Sequence, residues 1–269
     1  MEFMNSPAEI AKLYVDIGAS KSKLPVGRML MLAVFGGLFI AMGGLGSSIA
    51  SYGVQPAAIG KILGALVFPI GLMMILVGGG ELFTGNSLIL MAVLDKRATV
   101  KGMLRNWGIV YLGNFIGSMI IALIVAYSGL LEYFDGTMKQ VVINVAVTKV
   151  NLSFLQAFLR GILCNFMVCI AVWASVSAAD IVSKIAAMYL PIFLFVLCGF
   201  EHCVANMYFI PTGILSSCIY NIPAGDMTLV SFLVKFVVNN LIPVTLGNIT
   251  GGAIMVGMGY WYVYVKLKR

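Results

Sequence analysis

Apolar residues run along this chain in long stretches separated by short polar interruptions. A helix that crosses a hydrocarbon layer needs about 20 apolar residues. Six regions qualify: residues 26–50, 58–94, 104–130, 152–178, 185–220 and 229–265. The second and fifth are too long for one crossing and are interrupted by glycine, proline or polar residues, so each is expected to form two half-helices with a break at membrane depth. Ahead of the first region, Ile10, Leu13, Tyr14 and Ile17 recur at helical spacing. That spacing predicts a short amphipathic helix on one membrane face, either an anchor or a gate element. The expected organisation is one all-α transmembrane domain: an amphipathic N-terminal segment (1–24), a first repeat (25–130) and a second repeat (150–265).

The two halves match at corresponding places. Gly79-Gly80-Glu81-Leu82-Phe83-Thr84-Gly85-Asn86 aligns without a gap on Gly199-Phe200-Glu201-His202-Cys203-Val204-Ala205-Asn206. Leu112-Gly113-Asn114 followed by Gly117 aligns on Leu246-Gly247-Asn248 followed by Gly251. Three crossings per half make such repeats inverted. Inverted repeats with broken helices at equivalent positions point to a solute path near the midplane. Backbone N–H groups freed by a break cannot face lipid. Glu81 and Glu201, with Asn86 and Asn206, are therefore expected to hold the breaks together by accepting from those N–H groups.

Composition strengthens the membrane reading. Hydrophobic residues make up 61% of the chain and charged residues 10%, against roughly 25% charged in soluble domains. The net charge is +7, but the basic residues sit at the ends of apolar segments rather than in a nucleic-acid-binding patch. Lys12, Lys21, Lys23 and Arg28 precede the first region, and Lys96, Arg97, Lys101 and Arg105 lie between the second and third. Lys184 follows the fourth, and Lys266, Lys268 and Arg269 end the chain. The other side has only Lys61 and Lys139, beside Glu132, Asp135 and Asp226. This asymmetry predicts a multi-pass protein of the cytoplasmic membrane with both termini in the cytoplasm. A polar run precedes the first long apolar stretch, which argues against a cleavable signal peptide. Met1-Glu2-Phe3 stand before a second methionine, Met4, which leaves their native status open.

Enzyme chemistry finds no support. The five cysteines (Cys164, Cys169, Cys198, Cys203 and Cys218) lie in apolar stretches, and His202 is the only histidine. Zinc-ligand spacings, HExxH, paired catalytic carboxylates and cofactor fingerprints are missing. No metal or cofactor is expected. His202 stands out instead, because an ionisable group within a span marks a functional site and titrates near physiological pH. Its repeat counterpart is Leu82, so the break itself does not require histidine. Thr84 lies two residues beyond Leu82. Facing breaks would bring its hydroxyl to the imidazole or to a solute, or it bonds back to its own helix. Lys149, read alone, is an interfacial lysine at the start of the fourth segment. Phe68, Leu72, Leu82, Phe83, Val168 and Phe195 are candidate constrictions, with helix packing as the plain alternative. Packing suffices for Gly36-Gly37 and Gly43-Gly44. Arg160 and Lys235 carry no reading beyond pairing or snorkelling.

Three stretches resemble the formate/nitrite transporter family: Leu76-Val77-Gly78-Gly79-Gly80-Glu81-Leu82-Phe83-Thr84-Gly85, Gly161-Ile162-Leu163-Cys164-Asn165-Phe166-Met167-Val168-Cys169-Ile170-Ala171, and Gly199 to Met207 followed by Ile210-Pro211. The resemblance implies an aquaporin-like protomer, a homopentamer with a pore through each protomer, and a small monovalent anion as solute: formate, nitrite or hydrosulfide. It also implies that His202 lines the pore centre with Thr84, and that Lys149 stands in a vestibule, with Asn165 some four helical turns later. Lys149 and helix dipoles would concentrate the anion. The anion then acquires a proton near His202 and crosses an apolar slit as neutral acid, or stays charged and is solvated throughout. A proton-coupled transporter and an aquaporin-like channel for neutral solutes are the rival readings. The paired Asn-Pro-Ala breaks of the latter are missing.

Overall fold

The computed structural model describes residues 4–267 and is all-α, with one isolated bridge between Met4 and Ala178 among the described residues. Met1–Phe3, Lys268 and Arg269 lie outside the described residues. Helix α1 (Pro7–Lys21) starts at a reciprocal cap, with Ser6 and Glu9 satisfying each other's backbone N–H groups. Then come α2 (Val26–Ser51), α3 (Ala57–Val67), α4 (Ile70–Gly78) and α5 (Ile89–Leu94), the last entered through a 3-10 turn, Gly85–Leu88. The chain continues through α6 (Val100–Tyr127), α7 (Met138–Val150), α8 (Phe154–Ser177), α9 (Ile181–Leu197) and α10 (Cys203–Tyr220). The last helix, α11 (Leu229–Lys266), contains three π-helical stretches.

Among the described residues six helical segments are long and apolar enough to cross a membrane, and both predicted breaks are present. Their positions show why they form. Gly79 ends α4 at φ 89° and Gly199 follows α9 at φ 70°, a region that residues with a Cβ rarely enter. The first break comes late. The α3–α4 run spans 22 residues, and Gly85–Leu94 beyond it is too short to cross alone.

The two repeats pack alike. Gly117 of α6 lies against α2, and a Cβ there would stand 2.1 Å from the Val34 carbonyl oxygen. Gly251 of α11 lies against α8, where a Cβ would stand 2.1 Å from the Ile162 oxygen. Backbones come this close only where the side chain is absent.

Two expectations need correction. Residues 138–150 form a separate helix, α7, and Lys149 stands in its last turn rather than at the start of the fourth segment. The polar residues Lys139, Gln140, Asn144, Thr148 and Lys149 hide this helix from a search for apolar stretches. Helix α1 is also more than a surface helix. Ile10, Ala11, Tyr14 and Val15 are buried. Tyr14 stacks on Trp173 at 5.4 Å, and its hydroxyl donates to the Val172 carbonyl.

Candidate functional site

The two breaks meet in the core, and each is held by a matching set of five residues: three asparagines, a glutamate and a lysine. In the first, Asn114 of α6 accepts from the Phe83 N–H at 2.9 Å and donates to the Glu81 and Ala33 carbonyls at 2.8 and 2.7 Å. In the second, Asn248 of α11 accepts from the Cys203 N–H at 3.0 Å and donates to the Glu201 and Gly161 carbonyls at 3.0 and 2.8 Å. These asparagines satisfy the backbone groups that the breaks set free.

The glutamates do something else. The Glu81 carboxylate pairs with Lys21 at 2.9 Å and accepts from the Asn86 amide at 2.6 Å, and Asn86 also donates to Asn106. The Glu201 carboxylate pairs with Lys149 at 3.0 Å and accepts from the Asn206 amide at 2.7 Å, and Asn206 also donates to Asn240. Asn106 returns a bond to the Lys21 carbonyl, and Asn240 to the Lys149 carbonyl. Both glutamates therefore anchor a lysine and an asparagine amide instead of capping break N–H groups. The expectation erred because a distant asparagine, already paired with each break, takes that backbone role. A buried carboxylate needs a cation more than another neutral donor.

His202 joins the breaks. Its Nδ1 accepts from the Ala205 N–H at 3.0 Å and so caps α10. An N–H donor at Nδ1 leaves the neutral ring its proton on Nε2, which lies 2.9 Å from the Thr84 hydroxyl oxygen. At the related positions stand Leu82 and Val204, so the pseudo-symmetric partner of this polar pair is apolar. The ring also stacks on Phe195 at 6.0 Å.

Three cavities surround this centre. On the α1 side, a cavity of about 440 Å³ is lined by Lys21, Arg28, Glu81 and the apolar Leu72 and Leu82. On the α7 side, one of about 130 Å³ is lined by Lys149, Glu201, His202, Phe68 and Phe195. Between them lies a void of about 10 Å³, room for no more than about one water. Three pairs from matching places in the two repeats surround that void: Ile40 with Val168, Leu72 with Ile192, and Leu82 with His202. Phe68 and Phe195 complete the ring, edge to face at 5.5 Å.

The other predicted site residues stand behind this wall. Thr84, Phe83 and Asn165 line none of these three cavities. Phe83 turns toward α6 and packs on Tyr111 and Trp107. Asn165 donates to the Thr84 carbonyl, the Ser87 hydroxyl and the Asn248 carbonyl, tying the first break to α8 and α11. Arg160 is exposed on α8, and Lys235 donates to Asn151. Sequence reasoning missed the roles of Lys21, Asn106, Asn240, Asn114 and Asn248. The last two were visible as a repeated Leu-Gly-Asn, and that repetition was the available signal.

Comparison with known proteins finds relatives over nearly the whole chain. A model of the formate/nitrite transporter family matches residues 8–262. A probable formate transporter of Methanothermobacter thermautotrophicus is 39% identical, with 97% of each chain covered. The formate channel FocA of Escherichia coli K12 is 34% identical over 97% of this chain and 94% of its own. Among solved structures, a pentameric formate channel with formate bound superposes with a TM-score of 0.77 at 35% identity, covering 89% of this chain and 98% of its own. An FNT family ion channel superposes with a TM-score of 0.80 at 26% identity, covering 94% and 98%.

Proposed function

We propose that this chain, which belongs to the formate/nitrite transporter family, is a channel for small monovalent anions of weak acids, formate and nitrite first among them. The observation that carries the reading is the central void of about 10 Å³ between two larger cavities, each with a lysine–glutamate pair in its wall. The cavities are the vestibules of one pore through the protomer. Leu72 and Leu82 close it toward α1, and Phe68 and Phe195 toward α7, with Val168 beside them. The excess of basic residues on the α1 side supports a cytoplasmic-membrane protein with both termini in the cytoplasm. Resemblance to a solved pentameric channel supports a homopentamer.

The slit decides the form in which the solute crosses. A bare ion entering a low-dielectric constriction loses several kcal/mol of hydration, while a protonated weak acid does not. The anion gathers in a vestibule, takes a proton from hydronium in the water there and crosses as the neutral acid. His202 contributes the Nε2–H that orients the Thr84 hydroxyl. It is not the proton carrier in this reading, because a second ring proton would sit on Nδ1 and displace the Ala205 N–H that caps α10.

The test is flux into proteoliposomes with formate, nitrite, hydrosulfide and glycerol across a pH series, using wild type, His202→Phe and His202→Asn. Asparagine retains an acceptor for the helix start. Expected is anion-dependent flux without glycerol flux, with slower transport but a retained pH dependence in the variants. Loss of the pH dependence in both variants would move the proton to the imidazole. Glycerol flux without anion flux would overturn the anion-channel reading.

A further inference from the structure

The residues lining the two vestibules differ by one charge. Lys149 and Glu201 are the charged pair lining the α7-side cavity, and they neutralise each other. On the α1 side Lys21 is matched by Glu81, but Arg28 lines the wall as well. Two cations against one carboxylate leave a surplus of one positive charge. Among the described residues Arg28 makes no hydrogen bond or ion pair, and it is exposed to solvent. The paired lysines are largely compensated by their glutamates, whereas Arg28 keeps its full field and all its donors.

Its position is unfavourable for the helix that carries it. Arg28 stands in the first turn of α2, where the N-cap residue is Pro25 and no side chain caps the helix. The helix dipole opposes a cation there. The second repeat shows the alternative. Leu32 and Arg160 are equivalent, since their carbonyls accept from the Glu81 and Glu201 N–H groups. Four residues before Arg160 stands Gln156, which closes a reciprocal cap with Ser153. Four residues before Leu32 stands Arg28. The first repeat thus carries a residue that weakens a helix start and faces a cavity, where the second carries one that strengthens it.

We propose that Arg28 is the docking residue for planar oxyanions on the α1 side, and that it sets a preference for them over single-centre anions. The inference rests on the channel reading above. A guanidinium presents parallel N–H donors that match two oxygens of one carboxylate or nitrite, whereas an ammonium acts as a point charge. Hydrosulfide has one acceptor atom and gains the charge without the fork. No guanidinium lines the α7-side vestibule, where the further cation nearby is the Lys61 ammonium beside Gly199. In a passive channel the permeability at low concentration is equal in both directions, so the docking residue shows itself in saturation: formate half-saturates at a lower concentration from the α1 face.

The experiment is the concentration dependence of initial formate and hydrosulfide rates in proteoliposomes of uniformly oriented channels, with the anion added to one face at a time. Arg28→Gln is expected to raise the half-saturating formate concentration from the α1 face about two- to fivefold, the range of a solvent-exposed charge pair. The shift shrinks as added salt screens the field. Arg28→Lys is expected to raise it for formate while hydrosulfide stays at the wild-type value. Neither variant removes a hydrogen bond or ion pair among the described residues, and matching thermal unfolding checks their folding. Wild-type half-saturation by formate in Arg28→Lys overturns the proposal, as does an equal rise from both faces in Arg28→Gln. Absence of anion flux in the wild type overturns the channel reading instead.

Discussion

Asn114 and Asn248 each carry three hydrogen bonds on one amide: two serve an N–H and a carbonyl of the helix break, and the third ties the amide to a carbonyl inside the neighbouring helix, Ala33 of α2 or Gly161 of α8. Asn114→Leu keeps the volume and removes every one of them. Each buried group left unpaired costs about 1–3 kcal/mol, so the thermal unfolding midpoint in detergent is expected to fall by many degrees, and an unchanged midpoint would refute the account. Thr84→Val makes a narrower cut, since valine already occupies the related position 204. It is expected to leave folding within about 1–3 kcal/mol of wild type while lowering formate flux, because the Nε2–H of His202 loses its acceptor. The sequence made the Thr84–His202 pairing legible, since two aligned motifs in an inverted repeat face each other. It did not reveal the partners of Glu81 and Glu201. Lys21 and Lys149 lie on helices outside the repeated motif, and only the docking angles of those helices bring the ammonium groups to the carboxylates.

At the scale of the element, α1 repays a closer look. Its apolar spacing was legible, but its burial was not, because the amphipathic pattern fits a membrane surface as well as a protein groove. Through Lys21 the helix holds Glu81 and the side-chain Oδ1 of Asn86, so undocking α1 would strip the first break of its cation. The start of the helix carries a titratable cap. Hydrogen bonds from the Ser6 hydroxyl and the Ser6 backbone N–H hold the Glu9 carboxyl below its ordinary value of 4.5. A lowered carboxyl stabilises the folded helix start above pH 4.5, and that contribution is lost as pH falls through the lowered value. Hydrogen-exchange protection of residues 8–12 is expected to be level from neutral pH down to about pH 5 and to decline below it. Ser6→Ala is expected to weaken that protection at every pH, by about 1 kcal/mol. Protection that rises on acidification would show that the cap does not work this way. Helix α7 teaches the converse lesson. It was missed because nothing in its composition is apolar enough to mark a crossing, yet it carries Lys149 to the site.

For the molecule as a whole, the slit is two apolar closures in series. Leu72 and Leu82 line both the α1-side cavity and the central void. Phe68 and Phe195 line both the void and the α7-side cavity. In the proposed pore a solute passes both, so widening one leaves the other limiting. Leu72→Ala removes bulk from the first closure and Phe195→Leu from the second, and each truncation is expected to cost about 1–5 kcal/mol of stability. The expected flux pattern is non-additive. Each single variant passes acetate little better than wild type, relative to formate, whereas the double variant raises the acetate-to-formate ratio by more than the product of the single changes. The side chains lie on α4 and α9, in equivalent arms of the two repeats, and they meet only because the breaks bring those arms together. A single variant that admits acetate as well as the double would reduce the pore to one closure, and the remaining pair would then be packing.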